Sequence, residues 1–65
     1  MEQFVRNNFK IVEWKSEDGS ISEGFEYIAP NGNKRITELK TFLDNTEKFQ
    51  NIIDYWKSEG MNVPQ

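Results

Sequence analysis

The stretch "YIAPNGNKRITELKTFL", Tyr27 to Leu43, decides the fold because it passes from one secondary structure to another within a short length of chain. It begins with strand-forming residues, and Pro-Asn-Gly at 30–32 has the composition of a tight turn, in which proline presets φ and glycine accepts positive φ. It ends with Leu39, Phe42 and Leu43 at i, i+3 and i+4, the period of an amphipathic helix. The stretch therefore predicts a sheet that leads directly into a helix.

Two strands are predicted before this turn and a short one after it. The segment at about 4–15 is rich in aromatic and β-branched residues, and the segment at about 21–29 alternates between apolar and polar residues. Asp18-Gly19 between them suits a hairpin turn. "KRI", at about 33–36, is long enough for a third strand. We therefore expect an antiparallel β-hairpin or a three-stranded sheet.

The first of these strands alternates imperfectly. Phe9 and Ile11 share one parity, whereas Val12 and Trp14 share the other. This switch indicates either a β-bulge near Ile11 or a strand that is covered on both faces. Gly24 in the second strand indicates a bulge or a close approach of another backbone.

The rest of the chain has helical periodicity. We predict two helices, at about 38–44 and 45–59, and one long bent helix is the alternative. Gly60 ends the helical pattern, and residues 61–65 are expected to form a frayed tail. The predicted class is α+β, with the helices packed on the sheet in a single small domain at 1–65. The residues expected to form the core are Phe25, Tyr27, Leu39, Phe42, Phe49, Ile53 and Trp56.

Composition excludes several classes of function. The chain has 65 residues, no cysteine, no histidine and a formal net charge of −3. It therefore lacks thiolate and imidazole groups for metal binding and catalysis, and none of the common nucleotide-binding or hydrolase motifs occurs. We expect neither catalysis nor a cofactor. The absence of cysteine and of a long apolar run or signal-peptide pattern predicts a soluble, cytoplasmic protein that does not enter a membrane.

Surplus aromatic and acidic residues are candidates for protein binding. Trp14 lies on the opposite parity from Phe9, and Tyr55 lies off the apolar stripe of the second helix, so neither is easily buried. Tryptophan and tyrosine are enriched at the centres of protein interfaces. The acidic candidates, which could also imitate DNA phosphates, are Glu13, Glu17, Asp18, Glu23 and Glu26.

Basic residues support a different hypothesis, the binding of duplex DNA through the sheet. Lys34 and Arg35 form the adjacent basic pair of the corner between sheet and helix. The full set of DNA-binding candidates is Lys10, Lys15, Lys34, Arg35 and Lys40. A solvated corner that keeps the sheet soluble is the alternative explanation of this pair.

The segment from Phe9 to Asn45 resembles the methyl-CpG-binding domain family. The resemblance is carried by a tryptophan-bearing strand, the polar loop "KSEDGSISEG", the unit "FEYIAPNG" and the basic stretch "NKRI" before "TELKTFL". It implies a twisted antiparallel sheet with a helix packed behind it. Members of that family read CpG steps with two arginines, an aspartate and a tyrosine.

Those DNA-reading residues are mostly not matched in this chain. Only Arg35 can correspond to the second arginine, and the loop from Lys15 to Gly24 contains no arginine. Glu26 and Gly24 stand where the family has its tyrosine and aspartate. The resemblance therefore implies the family's fold without its reading of DNA.

The favoured hypothesis is a small non-enzymatic protein-binding module, such as an accessory or inhibitory factor of bacteria or their phages. Its partner is expected to be another protein, and duplex DNA is the alternative partner. A homodimer is a third expectation, because small domains often gain stability by association.

Overall fold

The structure is a computed structural model that describes residues 1–64. The elements follow the chain in the order α1 (Glu2–Asn8), β1 (Ile11–Lys15), β2 (Ile21–Ile28), β3 (Lys34–Glu38), α2 (Leu39–Asp44) and α3 (Gln50–Ser58). The three strands form one antiparallel sheet in the order β1-β2-β3. The predicted α+β class is therefore confirmed, with the three-stranded sheet rather than a hairpin alone.

Two glycine turns set the strand order. Gly19 and Gly32 have φ values of 89° and 86°, a conformation that side chains disfavour. In the first turn the Asp18 carboxylate accepts hydrogen bonds from the backbone and hydroxyl of Ser20, which holds the pKa of Asp18 below its usual value. In the second turn the Asn31 side-chain oxygen accepts a hydrogen bond from the backbone N–H of Asn33. Both turns therefore form as the sequence predicts.

The sheet has two faces of different character. The register pairs Ile11 with Phe25, so these residues and Tyr27 point to one side, the core face. The intervening residues of each strand point to the other side, the outer face. Helical residues pack on the core face: the Phe42 and Trp56 rings lie 5.1 and 6.3 Å from the Phe25 ring. The core thus lies between the sheet and the helices.

Aromatic rings dominate this core. Trp56 is 2% exposed and its ring is within 6.3 Å of rings from both strand and helix. Six of the seven predicted core residues are buried, and Phe49 is partly buried against them. The buried apolar residues are Val5, Phe25, Tyr27, Ala29, Leu39, Phe42, Ile53, Trp56 and Val63.

The prediction of one strand over 4–15 is wrong in its first half. Residues 2–8 form α1, which packs Val5 into the core and places the Phe4 ring 5.7 Å from the Trp56 ring. Side-chain pairs four residues apart, Glu2 with Arg6 among them, support the helix. Tertiary packing of an apolar face outweighs the local β-propensity of this segment.

The parity switch in β1 arises because both faces of the strand carry apolar residues. Pairing runs without interruption from Ile11 opposite Phe25 to Lys15 opposite Ile21, so there is no bulge. Val12 consequently points to the outer face, together with Trp14. Neither explanation that the sequence left open applies as stated, because the strand has no bulge and the apolar residues of its outer face lie outside the core cluster.

The C-terminal part contains two helices, as predicted, rather than one bent helix. The second begins at Gln50 instead of 45, because residues 46–49 form a turn in which the Asn45 side chain accepts a bond from the Lys48 N–H. Gly60, at φ 87°, ends the helix, and the Met61 N–H bonds the Trp56 carbonyl.

The segment expected to be a frayed tail contributes to the core. Val63 is 8% exposed and belongs to the buried cluster, and Met61 packs against that cluster. Gln65, the last residue of the expected tail, lies outside the described residues.

Candidate protein-binding surface

The outer face of the sheet carries four large apolar side chains that stand apart from the core. They are Val12 and Trp14 of β1, Ile28 of β2 and Ile36 of β3. None of the four belongs to the buried cluster or to the residues packed against it. Ile28 and Ile36 are 48% and 43% exposed, and Trp14 is half-buried. The apolar character of this face therefore does not serve the core.

Gly24 lets these side chains approach one another across the middle strand. A Cβ at this position would lie 2.9 Å from the Trp14 Cβ and 2.9 Å from the Thr37 carbonyl oxygen, with Ile36 Cγ2 at 3.5 Å. The first two distances are shorter than a carbon atom tolerates. The absence of a side chain at Gly24 thus brings β1 and β3 towards each other over the outer face. This is the close backbone approach that the sequence left as one explanation of Gly24.

Polar groups border the apolar outer face. Glu26, in the middle strand, lies 3.8 Å from the Lys34 ammonium. At the far end the Glu38 carboxylate accepts bonds from the Ser16 hydroxyl at 3.0 Å and the Thr41 hydroxyl at 3.1 Å. Charged groups therefore lie between Ile28 and the other three apolar residues, and also at the far end of the face.

A groove opens where β1 begins, beside the end of β2. We call it the edge groove: a cavity of about 440 Å³ between the α1–β1 connection, the end of β2 and the C-terminal part of α3. Its apolar lining comes from Phe9, Tyr27, Tyr55, Trp56 and Met61, and its rim from Lys10, Glu26, Lys34 and Glu59. Burial raises the pKa of Tyr27 above its usual value.

The two aromatic candidates from the sequence occupy different surfaces. Trp14 lies on the outer face and Tyr55 lines the edge groove, and both are half-buried. The two surfaces adjoin at Ile28, which points to the outer face and also lines the groove. The two candidates thus lie on different surfaces, which meet at Ile28.

The acidic candidates do not gather on one surface. Glu13 and Glu23 are cross-strand partners on the core side of the sheet, whereas Glu26 points to the outer face. Glu17 and Asp18 lie in the turn between β1 and β2. The five carboxylates therefore do not form the continuous surface that imitation of DNA phosphates requires.

Glu23 already has a partner within the chain. Its carboxylate accepts two bonds from the Arg6 guanidinium, at 2.8 and 3.1 Å. These bonds hold the pKa of Glu23 below its usual range and raise the pKa of Arg6. Glu23 therefore fastens α1 to the sheet.

The basic candidates are also divided between the faces. Lys10 and Lys34 both line the edge groove. By strand alternation, Lys15 and Arg35 point to the opposite side of the sheet, and Lys40 lies on α2. The five basic candidates therefore do not share one face of the sheet.

Sequence reasoning missed Ile28 and Ile36 as surface residues. The signal was present in β1, where the parity switch already placed Val12 and Trp14 on the face opposite Ile11. Extending that parity through both hairpins would have added Ile28 and Ile36. The edge groove had no comparable signal, because it depends on α1, which was predicted as strand.

Comparison with known proteins gives no match: no protein-family model fits the chain, and no curated protein or solved structure is significantly similar to it. None of the helices in the described part of the chain has the length and apolar character needed to cross a membrane. Function is therefore inferred from the residues and geometry of this chain.

Proposed function

We propose that this chain is a small non-enzymatic module that binds another protein through the outer face of its sheet. One observation carries the proposal: four large apolar side chains, Val12, Trp14, Ile28 and Ile36, share that face and lie outside the core. Burying apolar area against a partner is favourable by about 25 cal/mol per Å² before the costs of association are subtracted. The outer face has this area available, and folding has not used it.

The chemistry of the surface suits a protein partner. Trp14 provides a large rigid side chain with an indole N–H donor, the kind of residue that dominates binding energy at interfaces. Lys34, at the Ile28 end of the same face, is 66% exposed and can pair with an acidic group of a partner and set its orientation. An accessory or inhibitory role in the cytoplasm fits a domain that binds without catalysing.

Duplex DNA is less well supported as a partner. Phosphate contacts require basic residues on one continuous face. Here Lys15 and Arg35 point away from Lys10 and Lys34, and the formal net charge is −3. The apolar outer face also offers few donors to phosphate oxygens.

Affinity capture from the source organism with three variants tests the proposal. Trp14→Ser and Ile36→Ser remove apolar contacts from the outer face. Ile21→Ser is the matched control, because Ile21 is a more exposed isoleucine, at 65%, on the other parity of β2. We expect a protein that the wild type and Ile21→Ser retain and that both outer-face variants lose.

Capture that is equal for all three variants, or no captured protein, would contradict the proposal. Sedimentation at two concentrations shows whether the protein bound is a second copy. In that case the wild type and Ile21→Ser sediment as dimers and the outer-face variants as monomers.

A further inference from the structure

We infer that the edge groove takes an extended segment of another polypeptide, which adds to the sheet as a short strand beside Ile28. The inference rests on the proposed protein-binding role, but its site is distinct from the centre of the outer face. It assigns the mode of binding, backbone pairing, and the chemistry of the segment.

The pairing of β2 shows which way its backbone groups point. The Ala29 N–H donates to the Asn33 carbonyl on the β3 side, and the Glu26 N–H donates to the Lys10 carbonyl on the β1 side. Successive residues of a strand direct these groups to alternate sides. Ile28, two residues after Glu26, therefore directs its N–H and C=O towards the β1 side.

Among residues 1–64, no strand lies opposite those groups of Ile28. The register that pairs Ile11 with Phe25 would place residue 8 there, but Asn8 is the last residue of α1. The residues before Phe9 do not extend β1 along β2. Phe9 itself has extended φ and ψ, and α1, which precedes it, packs over the core, where Arg6 bonds Glu23. The side of β2 next to Ile28 is thus an open edge.

The open edge faces the edge groove, and this juxtaposition selects an extended segment. A residue of the segment that lies opposite Ile28 can accept a hydrogen bond from the Ile28 N–H and donate one to the Ile28 C=O. This pair would extend the hydrogen bonding on the β1 side of β2 by one residue pair. Because side chains alternate, the residues next to it point towards the helices. There the cavity of about 440 Å³ presents Tyr55, Trp56 and Met61 to an apolar side chain.

The charged groups on the rim indicate which type of side chain the segment has opposite Ile28. The residue opposite Ile28 points to the outer face, beside Lys10 and across the strand from Lys34. Lys34 is 66% exposed and its contact with Glu26 is a long one, at 3.8 Å. An acidic side chain at this position would pair with both ammonium groups. The partner segment is therefore extended, with an acidic residue flanked by an apolar one.

Two proline substitutions provide a test matched in every feature but location. Ile28 and Ile36 are outer-face isoleucines of similar exposure. Each belongs to a β2–β3 pair whose two residues do not bond each other: Ile28 is opposite Lys34, and Ile36 is opposite Glu26. The N–H of each isoleucine therefore points away from its partner strand, to a free edge. Ile28→Pro removes the donor at the edge groove. Ile36→Pro removes the donor at the far edge of β3, and edge strands tolerate proline at such positions.

The probe is a phage-displayed library of random seven-residue peptides, selected on the immobilised wild-type protein. We expect enriched peptides that combine an acidic and an apolar residue and bind Ile36→Pro as tightly as the wild type. Their Kd for Ile28→Pro rises about tenfold, the effect of one lost hydrogen bond of ordinary strength. Equal affinity for Ile28→Pro, or no enriched peptide, would overturn the inference.

Two further measurements keep the test decisive. If Ile28→Pro does not fold, a scan of single backbone N-methyl groups through an enriched peptide replaces it: one position must weaken binding to the wild type about tenfold, and tolerance at every position contradicts strand addition. Trp14→Ser should leave peptide binding unchanged. Peptides that lose affinity for Trp14→Ser but not for Ile28→Pro would sit on the outer face, which supports the proposed function and refutes the groove.

Discussion

The two faces of the sheet use the same strands in opposite ways. On the core face Phe25 and Tyr27 are buried beneath helical residues, whereas Glu26 and Ile28, which alternate with them, point to the outer face, where Ile28 is 48% exposed. Both faces carry aromatic and β-branched residues. The difference is that one face is covered by other elements of residues 1–64 and the other is not. A small domain can therefore use one parity of its strands for the core and leave the other for the binding that we propose.

The strongest contrast between the faces should appear in stability. Phe25→Ala removes a fully buried ring that contacts four other aromatic rings, so we expect a loss of about 3–5 kcal/mol in the free energy of unfolding. That is comparable to the whole net stability of a domain of this size, about 3–5 kcal/mol. Urea denaturation followed by circular dichroism measures the change.

The outer-face counterpart of this experiment is Ile36→Ala. Ile36 is 43% exposed and outside the core, so its truncation should change the free energy of unfolding by no more than about 0.5 kcal/mol. A loss of similar size in both variants would mean that the outer face is a second core, and the comparison would fail.

An effect between these two in size is expected where the two edge strands approach each other. Gly24→Ala forces a methyl group against the Thr37 carbonyl oxygen, a backbone atom, so we expect a loss of about 1–3 kcal/mol. Ser22→Ala is the matched control on the same face of the same strand. The Ser22 hydroxyl oxygen is buried without a hydrogen-bond partner among the described residues, so its removal should be neutral or slightly stabilising. Equal stability of Gly24→Ala and the wild type would show that the strands do not approach so closely.

The smallest effect concerns the ion pair that fastens α1 over the core face. The pKa of Glu23 is lowered because its carboxylate accepts hydrogen bonds from Arg6. A lowered folded-state pKa means that the pair stabilises the protein above the unfolded-state pKa of glutamate, about 4.3. This stabilisation is lost as the pH falls through the lower, folded-state value.

Carboxyl NMR titration checks this prediction. In Arg6→Gln the pKa of Glu23 should return to the ordinary glutamate range, and in the control Arg35→Gln it should stay low. The difference in stability between the wild type and Arg6→Gln should also shrink as the pH is lowered. An unchanged pKa of Glu23 in Arg6→Gln would show that Arg6 is not its partner.

Much of the fold could be predicted from local patterns. The Asp18-Gly19 and Pro30-Asn31-Gly32 turns, the alternation of β2 and the spacing of Leu39 and Phe42 each depend on residues close in sequence, so they are readable without a structure. The start of the last helix was harder to predict, because the turn stabilised by the Asn45 side chain competes with helix formation at residues 46–49.

The N-terminal helix and the sites were harder to predict for a physical reason. Phe4, Val5 and Phe9 fit a helical stripe as well as a strand, and the choice is made by contact with Trp56, about fifty positions further along the chain. The edge groove follows from that choice, since it exists only because the chain leaves the sheet at Phe9. The exposure of Ile28 and Ile36 likewise follows from the register of both hairpins.

Isoleucine methyl NMR, recorded before and after addition of the captured partner protein, tests the central claim most directly. The isoleucines sample every environment: Ile28 and Ile36 on the outer face, Ile53 in the core, and Ile21 exposed on the other parity of β2. We predict that the methyl signals of Ile28 and Ile36 shift while those of Ile53 and Ile21 stay in place. Shifts of Ile21 with Ile28 and Ile36 unmoved would contradict the account, because the partner would then bind away from the outer face.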